Sequence, residues 1–247
     1  MQTSSRALDL LLLGCLAALL GGCPGEGGNG SVPNDDDVGD DDDAGDDDVG
    51  DDDSALPDLS LIGNIRQAPE QEGIVGATIT EIGNPRNTTE SVTDGEYFLE
   101  GPNVERWVGV SALWADNVPA SAWALWPDTG RFPTMIMLTA ADLDGGYQDL
   151  WGVPRDPERA TMFVYAMDVE EFPRDGLEVE LTVDHGDGWI QQDKETWVQQ
   201  DSTGPGGVML ITNVEAGVVG VQGAGCNNPD AILVGPGELV FVELICE

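Results

Sequence analysis

The chain has 247 residues, with 9 Lys and Arg against 47 Asp and Glu, one His, and a formal net charge of −38. That surplus of carboxylates excludes nucleic acid as a partner, because phosphate contacts draw on Lys and Arg. A single histidine excludes zinc motifs of the H-E-x-x-H kind, and one lysine (Lys194) without a G-x-x-x-x-G-K-[ST] loop excludes P-loop nucleotide binding.

At the N-terminus Arg6 is followed by Leu8–Leu20, apolar apart from Asp9. The stretch is shorter than the ~20 apolar residues that a bilayer-spanning helix needs. It closes on Leu20-Gly21-Gly22-Cys23, which resembles the lipobox of bacterial lipoproteins, where small residues precede a cysteine that is acylated and becomes the new N-terminus. The resemblance implies a signal peptide over 1–22, lipidation of Cys23, and a membrane partner reached through the lipid anchor. The looser match Leu12-Leu13-Gly14-Cys15 leaves only Ala7–Leu13 as an apolar core, and no A-x-A site for ordinary secretory cleavage follows Leu20. Pro24 stands where many inner-membrane lipoproteins carry Asp. By resemblance, then, the mature protein belongs to the cell envelope at the outer membrane, facing the periplasm or the exterior.

Residues 23–56 read as a tether. From Asp35 to Asp53, runs of Asp are interrupted only by Val-Gly and Ala-Gly. Such a segment buries too little apolar surface to offset chain entropy and is expected to be disordered, stretched further by charge repulsion. Fully extended, Pro24 to Leu56 reaches roughly 110 Å at ~3.3 Å per residue. The Asp runs lack the alternating ligand spacing and terminal Glu of a calcium loop, so a solvated spacer is the better reading.

From Ser54 onward there are 32 acidic and 8 basic residues, an acidic surface that anionic lipid headgroups repel. A salt-rich habitat favours the same composition, so acidity alone identifies no partner. The patterning predicts a mainly β fold: tandem small β-sandwich domains with one short connecting helix. The first spans 57–126, with strands at Leu59–Arg66, Ile74–Ile82, Glu96–Leu99 and Arg106–Leu113 and turns at Asn84-Pro85 and Asp94-Gly95. A linker over 127–159 holds a helix from Ala140 to about Trp151, capped by Thr139 and ended by Gly152 and Pro154. The second domain, 160–247, carries strands at Thr161–Asp168, Leu177–Val183, Val208–Asn213, Gly217–Val221 and Glu238–Ile245, with Asp187-Gly188 as a hairpin turn.

Gly76-Ala77-Thr78-Ile79, then Asp94-Gly95-Glu96-Tyr97-Phe98-Leu99, then Val108-Gly109-Val110 resembles the carboxypeptidase regulatory-like (transthyretin-like) β-sandwich. The match covers about Leu59–Ala115 well and Thr161–Val221 loosely. It implies a stalk, spacer or ligand-binding module and brings no catalytic residues with it.

Four cysteines divide in two: Cys15 leaves with the signal and Cys23 takes the lipid, while Cys226 and Cys246 remain in a disulfide-permissive setting. A bridge between them is favoured over two buried thiols. His185, in Asp184-His185-Gly186-Asp187, has no G-x-S-x-G elbow to serve and reads as part of a polar turn. Asp128-Thr129-Gly130 lacks a second such loop to share a proton, so it reads as a linker turn. Trp189-Ile190-Gln191-Gln192-Asp193 recurs as Trp197-Val198-Gln199-Gln200-Asp201. If the two segments face each other as strands, Trp189 and Trp197 share one face, a candidate glycan or protein platform; packing within the sandwich is the alternative. The functional expectation is a lipid-anchored exported binding or structural module without catalysis, cofactor or metal. Carbohydrate binding through exposed tryptophans comes second, and a hydrolase using paired carboxylates comes last, since 32 acids make a chance pair common.

Overall fold

The computed structural model describes residues 60–68, 71–101, 106–126, 132–192 and 196–247. The expected signal peptide, Cys23 and the tether lie outside the described residues, as do Asp128-Thr129-Gly130 and Lys194.

Strand β1 (Ser60–Gln67) points Leu61, Gly63 and Ile65 inward in strict alternation and pairs with the short β2 (Glu72–Gly73). β3 (Thr78–Glu81) and β4 (Thr88–Glu90) form a hairpin around Asn84-Pro85. Asp94 and Gly95, at φ 61° and 77°, turn the chain into β5 (Glu96–Glu100), which returns antiparallel to β1. Next come β6 (Arg106–Leu113), β7 (Ala120–Trp126) and β8 (Met135–Met137), the last parallel to β1. Helix α1 (Ala140–Gly146) begins as expected: the Thr139 hydroxyl accepts from the Asp142 N–H, and acidic Asp142 lies in the first turn. It runs on into a π-helical turn over Tyr147–Trp151 and stops where Gly152 adopts φ 64°.

The second half consists of β9 (Ala160–Asp168), β10 (Val179–Leu181), β11 (Gly188–Gln191), β12 (Trp197–Gln199), β13 (Val208–Val214), β14 (Gly217–Val219), β15 (Val221–Gly223), β16 (Ile232–Val234) and β17 (Leu239–Cys246). One nine-stranded sheet, in the order β12-β11-β13-β9-β17-β7-β6-β3-β4, runs through the whole described body. β1, β2, β5 and β8 form a second sheet, while β10-β15 and β14-β16 are two-stranded.

Burial explains this layering. Along β9, Phe163 and Tyr165 join one core, and Met162, Val164 and Ala166 join another. β17 divides in the same way, Leu239 and Phe241 against Val240, Val242 and Leu244, and β13 places Leu210 opposite Met209 and Ile211. Successive strand residues point to opposite faces, so these central strands are covered on both sides. That is why they read as unbroken apolar runs. One face packs on β1, β5, β8 and α1, whose Leu61, Tyr97, Met135 and Leu143 enter the first core. The other packs on the two-stranded sheets through Val179, Val219, Val221 and Ile232.

The fold is mainly β and sandwich-like with one short helix, as expected. The two expected halves nevertheless share a sheet. β17 lies parallel to β7 on one side, Phe241 opposite Ala122, and parallel to β9 on the other, Phe241 opposite Phe163. The segment expected to be a linker supplies β8 and α1 to the first core. Asp187-Gly188 makes no hairpin turn: Gly188 starts β11, paired to β13 and β12, and a Cβ there would strike Met209.

Candidate functional site

Trp189 and Trp197 do share a face. Gln191 pairs with Trp197 and Trp189 with Gln199, so residues 189, 191, 197 and 199 all point the same way. That face is the inner one, and the expectation of an exposed platform is corrected on this point. Trp197 is 9% exposed and stands edge-on to Trp151, with centroids 5.6 Å apart. Trp151 in turn stands edge-on to Tyr147 at 5.1 Å, and Trp189 packs half-buried against the same core. Sequence pattern showed the pairing but not the direction, because Trp151, in the π-helical turn after α1, packs on this side of the sheet. The seven tryptophans are all buried or half-buried.

The charged candidates are likewise engaged within the fold. His185 Nδ1 lies 2.7 Å from the Gly186 carbonyl, Asp184 pairs with Arg159 at 2.8 Å, and Asp187 accepts from Gln199 at 2.8 Å. The three side chains therefore do not converge. Buried Glu81 meets Arg106 through one carboxylate oxygen and accepts from Asn84 and Asn87 through the other. Buried Glu238 accepts from the Gly235 N–H at 2.6 Å. Desolvation raises its pKa, against the lowering effect of that N–H and of the Ser121 hydroxyl.

Cys226 and Cys246 are bonded, as expected. They face each other across a short antiparallel bridge between two backbone bonds, Asn227 N–H to the Ile245 carbonyl and Glu247 N–H to the Gly225 carbonyl, each 2.8 Å. The bridge fastens the end of β17 to the loop after β15.

One feature escaped the sequence reading. On the side of the large sheet that β10, β14, β15 and β16 cover in the second half, strands β3, β4 and β6 lie open. Thr88, Thr80 and Ser111 stand in register on this face, Thr80 pairing with both of the others, and the row ends at buried Ser121 on β7. The Thr80 and Thr88 hydroxyls are 3.0 Å apart. Along β6, Leu113, Ser111, Gly109 and Trp107 point the same way, with Leu113 57% exposed and Trp107 half-buried. The Trp123 ring lies across Gly109, where a Cβ would come within 2.7 Å of it. In sequence, the β3 part of this face is the polar set of the alternation Thr78-Ile79-Thr80.

No family model matches the chain, and no curated protein matches it in sequence. Solved structures with local likeness include GBS52, a minor pilin of Streptococcus agalactiae, at 11% identity over 76% of this chain and 96% of that one, with a TM-score of 0.26. The shaft pilin SpaA of Lactobacillus rhamnosus GG gives 8% identity, 76% and 97% coverage, and a TM-score of 0.24. The Bacillus anthracis TIE protein gives 15% identity and a TM-score of 0.23, and this chain spans about a third of its length, 34%.

Proposed function

We propose that the chain is an exported, lipid-anchored module of the cell envelope, at the outer membrane, that presents a rigid β body on an acidic tether and works by binding or support, without catalysis. The observation that carries this reading is the division of labour among its cysteines. Cys23 closes a lipid-attachment pattern, and the two that follow it, Cys226 and Cys246, form a disulfide of the kind that persists in oxidising compartments. The Asp-rich run between anchor and body supports a spacer, since like charges extend such a chain. The engagement of Glu81, Glu238, Asp184 and His185 within the fold supports a structural use of the groups a hydrolase would need.

Expression of the full chain and its Cys23→Ala variant in a bacterial host, with metabolic labelling by an alkynyl fatty acid, tests the anchor. The parent takes up label and sediments with membranes, and the variant loses both. Equal sedimentation and an unmodified Cys23 in the parent contradict the reading.

A further inference from the structure

We propose that the uncovered face of β3, β4 and β6 binds a neutral, extended polysaccharide chain. Elsewhere on that side of the sheet, two-stranded layers cover it, and their residues fill a buried core. Here Thr78 and Thr88 are exposed and Leu113 is more than half exposed. The face carries hydroxyls in an ordered row, Thr88, Thr80 and Ser111, repeating at the ~4.8 Å spacing of neighbouring strands. Ser111 donates to the Thr80 carbonyl at 3.3 Å and Thr88 to the Pro85 carbonyl at 3.2 Å, so the row presents its hydroxyl oxygens as acceptors to sugar hydroxyls. Leu113 and Trp107 lie at the two ends of β6, about 20 Å apart at ~3.4 Å per residue; Trp107 packs in part against the neighbouring core, and what stays exposed of the two side chains offers apolar surface to the flat faces of sugar rings. A face of this length suits an extended chain of several sugar units better than a compact ligand.

Charge decides the kind of polymer. Among the described residues of β3, β4 and β6, Glu90, opposite Thr78, is the charged side chain on this face, while Arg106 turns to the opposite side to meet Glu81. The rest of the body carries a large excess of carboxylates. An anionic polymer is repelled, and a cationic one finds no paired carboxylates on the platform. A neutral glycan fits.

The test uses the purified full chain, titrated with cellohexaose, chitohexaose and, as the anionic control, a hyaluronan hexasaccharide. Calorimetry and tryptophan emission provide the readouts. Saturable binding of at least one neutral hexamer is expected, with no binding of hyaluronan. Trp107→Ala weakens it about tenfold or more. Thr80→Val, which keeps the shape of a strand residue and so keeps the fold, weakens it about fivefold. Failure of both neutral hexamers to bind, equal binding of hyaluronan, or unchanged affinity in both variants overturns the proposal. None of these outcomes bears on Cys23, whose labelling is read separately.

Discussion

At the scale of single residues, two cross-strand pairs set glycine against an aromatic ring. Gly63 pairs with Tyr97 between β1 and β5, and Gly109 pairs with Trp123 between β6 and β7. A Cβ at Gly63 would run into the Tyr97 ring, which is fully buried and cannot swing out. Gly63→Ala should therefore cost about 1–3 kcal/mol as overpacking, seen as a lower urea midpoint. The Tyr97 hydroxyl has no hydrogen-bond partner among the described residues, and burial pushes its pKa up. Tyr97→Phe removes a desolvated donor that gains nothing in return, so stability should hold or rise by about 1 kcal/mol. A clear loss would mean that the hydroxyl has a partner. Glu238 gives a pH dependence with a defined sign. Its folded pKa is raised above the ordinary 4.5 by desolvation. Its contribution is therefore full below pH 4.5 and lost as pH rises through the folded value. Glu238→Gln should flatten that part of the stability–pH curve, and an identical curve for the variant would contradict the assignment.

At the scale of elements, Asn213 holds the helix-bearing segment against the sheet. It sits at a bulge in β13 with φ 49°. Its side chain accepts from the Asp156 N–H at 2.9 Å and donates to the Pro154 carbonyl at 3.0 Å, and its own carbonyl accepts from Arg159 at 3.1 Å. Its N–H donates to the Tyr147 hydroxyl, which also meets Thr161 at 2.8 Å. Asn213→Ala should cost about 1–3 kcal/mol and speed hydrogen exchange around Asp156–Arg159 before that of β9. Trp197→Ala, which empties the space beside Trp151, should cost about 3–5 kcal/mol. The elements differ in how legible they were. β1 and β6 fell within a residue or so of their expected bounds because alternation marks a strand with one buried face. The stretch expected as one strand from Ile74 to Ile82 is broken at Gly76, where φ is 80°: Ile74 bonds back to Ile65, and the strand proper is Thr78–Glu81. Gly217–Val221 splits at Gly220, where Thr182 crowds the backbone and the chain passes between two small sheets. β4, β8 and β16 are three residues each, too short to carry a period. The inward turn of Trp197 is met by Trp151 in the π-helical turn after α1, far from it in sequence, so no local pattern announces it.

At the scale of the whole molecule, the decisive element is β17. The C-terminal strand hydrogen-bonds in parallel to β7 from the first half and β9 from the second. Parallel neighbours need long connections, and nothing in Leu239–Cys246 says which strands will flank it, only that both its faces are buried. The two sandwich-like halves thus become one body whose second layers lie on opposite sides of a common sheet. The Cys226–Cys246 bond locks the end of that strand. Closing about twenty residues, it contributes on the order of 3 kcal/mol in the loop-entropy account, so reduction should lower the urea midpoint for both halves together. Native-state hydrogen exchange across a urea series gives the most direct measurement, comparing amides of β6 with amides of β13. A common sheet joined by β17 predicts that the slowest amides in both strands share one opening free energy and one urea slope. Two separate values, with either half opening while the other stays closed, would contradict it.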